Sequence, residues 1–125
     1  MSAVIRQSEA LQPEPVRGAT FDELHFARQT FGDPDLQQEI IQLFLAQVED
    51  ARRAFATPMT TTAWRFLTHT LKGAAASVGA LRIAELASAW ELAGSPQDPD
   101  RRRSILLQFE VEAAAFSAAT RSYLG

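Results

Sequence analysis

Two Asp-Pro dipeptides, Asp33-Pro34 and Asp98-Pro99, constrain this chain more than any other feature. Each stands before a long run of apolar residues spaced three and four apart. Aspartate at an N-cap accepts a free backbone N–H, and proline suits the first helical position, where an N–H has no partner to lose. After the first dipeptide come Leu36, Ile40, Leu43, Phe44, Val48, Ala51 and Phe55, and Pro58 bounds the run. After the second come Ile105, Leu106, Phe109, Ala113, Phe116 and Tyr123. Between them, Trp64, Leu67, Leu71, Ala75 and Val78 form a stripe from about Thr61, ended by Gly79. A further helix is expected over about Leu81–Ala93, stopped by Gly94-Ser95-Pro96. Such spacing is one face of an α-helix, and no segment alternates with the period of a strand. A shorter helix is expected from Thr20 to about Phe31. Thr20-Phe21-Asp22-Glu23 reads as a capping box there, and Gly32 as its C-terminal turn. The expected fold is all-α: an antiparallel four-helix bundle over residues 20–125 with an additional short N-terminal helix. Residues 1–19, with Pro13 and Pro15, read as a flexible tail whose start is compatible with a short helix.

A chain of 125 residues suits one domain and buries a core without disulfides or metals. There is no cysteine, which excludes disulfides, Cys-based zinc sites, iron–sulfur clusters and a thiol nucleophile. His25 and His69 are too few for a histidine-rich metal site. The formal net charge of -3 argues against nucleic acid as a partner, and the basic run Arg101-Arg102-Arg103 reads as a solvated helical turn. No apolar stretch reaches the roughly 20 residues that span a bilayer, and residues 1–6 do not read as a signal peptide. The expectation is a cytoplasmic protein with no membrane partner.

His69 stands in the middle of the third helix. At about 100° per residue, Leu71 lies about 200° around the helix from it, so the imidazole faces away from the apolar stripe. Its neighbours one or two turns away are Arg65, Phe66, Lys72, Gly73 and Ala76. Residues 60–82 hold Arg65, Lys72 and Arg82 and no acid, a local charge of +3 in a chain of -3, and Lys72 is the only lysine. A neutral imidazole is a good nucleophile near pH 7, and cations one turn away stabilise a phosphoryl dianion on it. Gly73 and Ala76 leave room beside the ring. A glycine inside a helix costs about 0.5–1 kcal/mol relative to alanine, which clearance for a partner would explain. The bland alternative for His69 is an exposed histidine without a role. His25, beside Phe21, Asp22, Arg28 and Gln29, has no comparable setting and reads as a structural or surface residue.

Residues 69–80, His-Thr-Leu-Lys-Gly-Ala-Ala-Ala-Ser-Val-Gly-Ala, resemble the phosphorylation motif of histidine-containing phosphotransfer (HPt) domains: H-x-L-K-G, small residues, then G-A. Phe31–Leu36 and Ile41–Leu45 resemble the start of that family's second helix, and Leu86–Glu91 its fourth. The likeness covers about residues 20–123. It implies that His69 is the phosphoacceptor, that Lys72 assists the phosphoryl group and that Gly73 gives steric access. It also implies that Glu91, 22 residues after His69, hydrogen-bonds one ring nitrogen. Such a bond to Nδ1 would leave Nε2 as the attacking atom. The alternative for Glu91 is a solvated helix residue.

The family's partners are response-regulator receiver domains and a hybrid histidine kinase. The receiver supplies the aspartate and Mg²⁺, so no cofactor of the chain's own is expected. A phosphate-binding Gly-rich loop is missing, so the chain is expected neither to bind ATP nor to phosphorylate itself. It reads as a phosphocarrier rather than an enzyme. In the dimerisation domain of a sensor kinase an acidic residue follows the histidine and a proline comes soon after. Here Thr70 follows, and the next proline is Pro96. A docking face beside His69 should expose apolar residues. On the second helix Leu45 lies about 130° and Ile41 about 90° from the centre of the stripe. The expected interface is therefore Ile41, Leu45, Arg65, Phe66, Ala76 and Ser77, with Gly73. Two other readings keep the fold: an HPt-like module that regulates a kinase or receiver by docking alone, and a helical protein with no signalling role. A monomer is the default, since one histidine face per bundle suffices.

Overall fold

The computed structural model describes Glu14 and residues 16–125. Five helices follow one another: α1 (Glu23–Gln29), α2 (Pro34–Phe55), α3 (Thr61–Val78), α4 (Leu81–Ala93) and α5 (Pro99–Leu124). No strand occurs among the described residues. The short connections make α2 to α5 a four-helix bundle, in which α3 packs against α2 and α4, and α5 against α2 and α4. The short helix α1 lies against α3. Among the described residues no helix is long and apolar enough to cross a membrane.

Both Asp-Pro starts form as expected. Asp33 accepts from the N–H groups of Asp35 and Leu36, and Asp98 from that of Asp100. The start of α1 differs from the expected capping box. Asp22, two residues after Thr20, is the N-cap, and its carboxylate accepts from the His25 N–H at 3.0 Å. Its backbone explains the shift: the Asp22 N–H donates to the Gly79 carbonyl at 2.8 Å, so the junction of α3 and α4 fixes where α1 begins. The helix also ends early, at Gln29. Phe31 (φ 54°) and Gly32 (φ 69°) turn the chain into α2.

Edge-on aromatic contacts anchor the core at both ends. Phe55 meets Trp64, Trp90 and Phe109 at centroid distances of 5.4, 5.4 and 5.1 Å. Phe116 meets Phe21 and Phe44 at 5.5 and 5.2 Å, and Tyr123 meets Phe26 at 6.0 Å. Such pairs add about 0.5–1.5 kcal/mol each beyond burial of their area. Polar side chains also point inward. Thr68 is fully buried because its hydroxyl donates back to the Trp64 carbonyl at 2.9 Å. Gln37 is buried between Thr30 and Tyr123, donating to both hydroxyls.

Gln37 marks a correction on α2. The apolar spacing put Leu36, Ile40 and Leu43 on the core stripe and Ile41 off it. In the structure the inward arc is Gln37, Ile41, Phe44, Val48, Ala51 and Phe55, with Ile41 only 3 % exposed and Leu43 66 % exposed. A polar residue hydrogen-bonded to the buried Thr30 and the partly buried Tyr123 occupies an inward position that an apolar count passes over, so the helix is turned relative to its apolar pattern.

Of the expected tail, residues 1–13 and Pro15, including any short helix there, lie outside the described residues. Glu14 and residues 16–19 run along α4 and α5. The N–H groups of Arg17 and Gly18 donate to Glu85 Oε2 at 3.0 and 2.9 Å, which lowers the pKa of the Glu85 carboxyl.

Candidate functional site

The outward face of α3 is set by what its inward face buries. Trp64, Thr68, Leu71, Ala75 and Val78 are packed into the bundle. Arg65, Phe66, His69, Gly73, Ala76 and Ser77 are exposed, and Lys72 is half-buried. The His69 side chain is 75 % exposed.

α4 brings Glu91 to this face. The close packing of α3 on α4 follows from a two-residue connection. Gly79 ends α3 in the left-handed region at φ 81°, and the Ala80 N–H reaches back to the Ala75 carbonyl at 2.8 Å. A side chain at Gly79 would also meet the Asp22 carbonyl at 2.8 Å, so glycine is required there twice over. The Trp64 indole N–H donates to the Trp90 carbonyl at 2.9 Å and ties the far ends of the two helices. Glu91 follows Trp90 and rises beside His69.

The resulting constellation is compact. Glu91 Oε2 lies 3.1 Å from His69 Nδ1, and Glu91 Oε1 lies 3.8 Å from Lys72 Nζ. A carboxylate only accepts, so Nδ1 carries the hydrogen in this bond, and in the neutral ring Nε2 is then the atom with a free lone pair. The acid-free window of residues 60–82 is therefore not acid-free in space, because one carboxylate arrives from the next helix. Gly73 has open space on its outer side: a Cβ built there meets nothing within 4 Å. His25 lies elsewhere, with Nε2 3.2 Å from the Ser77 carbonyl, where it caps the end of α3.

Beyond Gly73 a shallow groove of about 190 Å³ separates α3 from α2, lined by Ile40, Leu43, Phe44, Gln47, Ala74, Ser77 and Val78. Its apolar rim on α2 is Ile40, partly buried and packed against the core, and the exposed Leu43, which the apolar spacing places on the core stripe. Of the two α2 residues expected on the surface, Ile41 is buried in the core and Leu45 is half-buried against it. On α3, Phe66 is 73 % exposed. The signal for Leu43 was present but ambiguous: two overlapping stripes run through α2, and only the partners of Gln37 select one.

A family model, the Hpt domain, matches residues 35–118. That span covers α2, α3 and α4 and most of α5, and the chain belongs to the Hpt domain family. Members are phosphocarriers of two-component phosphorelays, interacting with receiver domains and histidine kinases. No curated protein and no solved structure matches the chain.

Proposed function

We propose that His69 accepts a phosphoryl group from the aspartate of a receiver domain, or of a hybrid kinase's receiver, and passes it to another receiver. One observation carries this reading. An outward imidazole is hydrogen-bonded at Nδ1 by a carboxylate from another helix and keeps Nε2 open to solvent. The Nε2 lone pair attacks the phosphorus of the aspartyl phosphate. The P–O bond to the aspartate breaks, and the carboxylate leaves with the electron pair. The ring keeps its Nδ1 proton and becomes cationic, and the Glu91 carboxylate balances that charge. Lys72, 3.8 Å from Glu91, turns towards the phosphoryl dianion as a point charge. Return transfer to a second receiver is the same step reversed.

Gly73 and Ala76 give the receiver's acidic pocket room to close over the ring. Phe66, the groove rim of Ile40 and Leu43, and Ser77 with Arg65 form the docking face. The receiver brings Mg²⁺, which neutralises charge during transfer, and the chain acts as a phosphocarrier with no cofactor of its own. We place it in the cytoplasm, as a monomer, on the basis of its receiver partners and its single histidine face.

The test is incubation with a phosphorylated receiver, followed by assay for acid-labile, base-stable phosphate. The label should appear on the wild type and vanish in His69→Gln. A full label in His69→Gln would remove the assignment. An unlabelled wild type that still binds the receiver would instead favour the docking module without phosphotransfer. The orienting role of Glu91 has its own readout in the ring nitrogen shifts of His69. The wild type should show the Nδ1–H tautomer, and Glu91→Ala should shift the ring towards Nε2–H. Identical spectra would leave Glu91 with no such role.

A further inference from the structure

We propose that Leu92 carries the docking face onto α4, so that the receiver rests on both sides of His69, a contact that rests on the phosphotransfer reading for its partner. Leu92 sets affinity for the receiver and takes no part in the chemistry. Phe66 on α3 and the rim of Ile40 and Leu43 on α2 lie to one side of the site. On the other side α4 presents Glu91 to the ring, and the next residue is Leu92.

The fold does not use this leucine. It is 91 % exposed, in the last turn of a helix whose Ile83, Leu86, Ala87 and Trp90 are buried. At about 100° per residue Leu92 lies about 200° around α4 from Trp90, so it points away from the core. Ser88 and Ala84, one and two turns earlier on the same side, are small and partly buried. Leu92 is therefore the one exposed large apolar residue of α4.

A single exposed leucine is ordinary on a protein surface, and here its position gives it meaning. Glu91 Oε2 lies 3.1 Å from His69 Nδ1. Bond lengths alone then hold the Leu92 Cα within about 12 Å of the ring. A specific interface covers about 800 Å² on each partner, a patch of about 16 Å radius. Such a patch centred on Nε2 reaches Leu92 as well as Phe66. Charge agrees with this placement. Arg65 and Lys72, seven residues apart, lie within about 20° of each other around α3. Lys72 reaches Glu91 on α4, while the Arg65 side chain pairs with no carboxylate among the described residues. An unpaired guanidinium beside the ring, on its α4 side, complements the acidic pocket that a receiver brings to the phosphoryl group.

The test uses the full chain and a receiver that binds the wild type, activated with beryllofluoride and Mg²⁺ as a mimic of the aspartyl phosphate. Leu92→Asn removes apolar surface without adding a charge. Leu107→Asn does the same to an exposed leucine on α5, outside the proposed face. Leu92→Asn should raise the Kd about tenfold, as one leucine side chain loses its burial, and Leu107→Asn should leave it within about twofold. Labelling of His69 by a small phosphoramidate donor needs no docking and should keep the wild-type rate in both variants. An unchanged Kd in Leu92→Asn overturns the proposal, as does an equal loss in Leu107→Asn. Slower phosphoramidate labelling in Leu92→Asn also overturns it, since the leucine would then act through Glu91 and not through the receiver. A wild type that binds the receiver and takes no phosphate from its phosphorylated form defeats the phosphotransfer reading, while the Kd of Leu92→Asn still decides this contact.

Discussion

Two glycines six residues apart on one helix divide this protein into its structural and its chemical halves. Gly79 is held at φ 81°, with the Asp22 carbonyl 2.8 Å from where a side chain would begin. Gly73 has helical backbone geometry and nothing within 4 Å of the same position. The fold explains the first glycine completely and the second not at all. The same division runs along the whole of α3, whose inward residues are fixed by packing while its outward residues are an exposed imidazole, a half-buried lysine, a glycine with open space beside it and an exposed phenylalanine ring. A residue that the fold does not need, and that costs the helix stability, points to something outside the chain.

Substitutions on the two faces should separate stability from transfer. Leu71→Ala, inward and 1 % exposed, should cost about 2–5 kcal/mol by denaturant unfolding. Gly79→Ala should cost about 1–3 kcal/mol from backbone strain, with further loss as the Asp22 contact is pushed apart. Gly73→Ala should have the opposite sign, stabilising by about 0.5–1 kcal/mol while slowing phosphotransfer. Gain in stability with unchanged transfer would show that Gly73 provides no clearance. His69→Gln should change stability least, within about 0.5 kcal/mol, because the ring is largely exposed, and should abolish the label entirely. A large loss of stability in His69→Gln would blur the division between the two faces.

Much of this division is legible in the sequence, and the reasons are local. Asp33-Pro34 and Asp98-Pro99 carry their own start signals, so α2 and α5 begin where the residues say. The 200° offset between His69 and Leu71 is a property of one helix, and the stripe of Trp64, Leu67, Leu71, Ala75 and Val78 fixes which of them faces inward, with Leu67 at its partly buried edge. What the sequence leaves open depends on partners distant along the chain. The start of α1 follows Gly79, which accepts from the Asp22 N–H. The rotation of α2 follows Gln37, a polar residue outside the apolar stripe, whose inward position depends on its bonds to Thr30 and Tyr123. That rotation moves Ile41 inward and Leu43 outward, and with them the α2 side of the groove beside Gly73. Glu91 is intermediate: its spacing from His69 resembles the family's, but the 3.1 Å contact needs the tight turn at Gly79 and Ala80.

The atom that takes the phosphorus is the most direct measure of the central claim. After phosphorylation by a receiver or a small phosphoramidate donor, the ¹⁵N–³¹P coupling in the His69 ring identifies the bonded nitrogen. The account predicts phosphorus on Nε2, with Nδ1 still held by Glu91. Phosphorus on Nδ1, or on any residue other than His69, would contradict it.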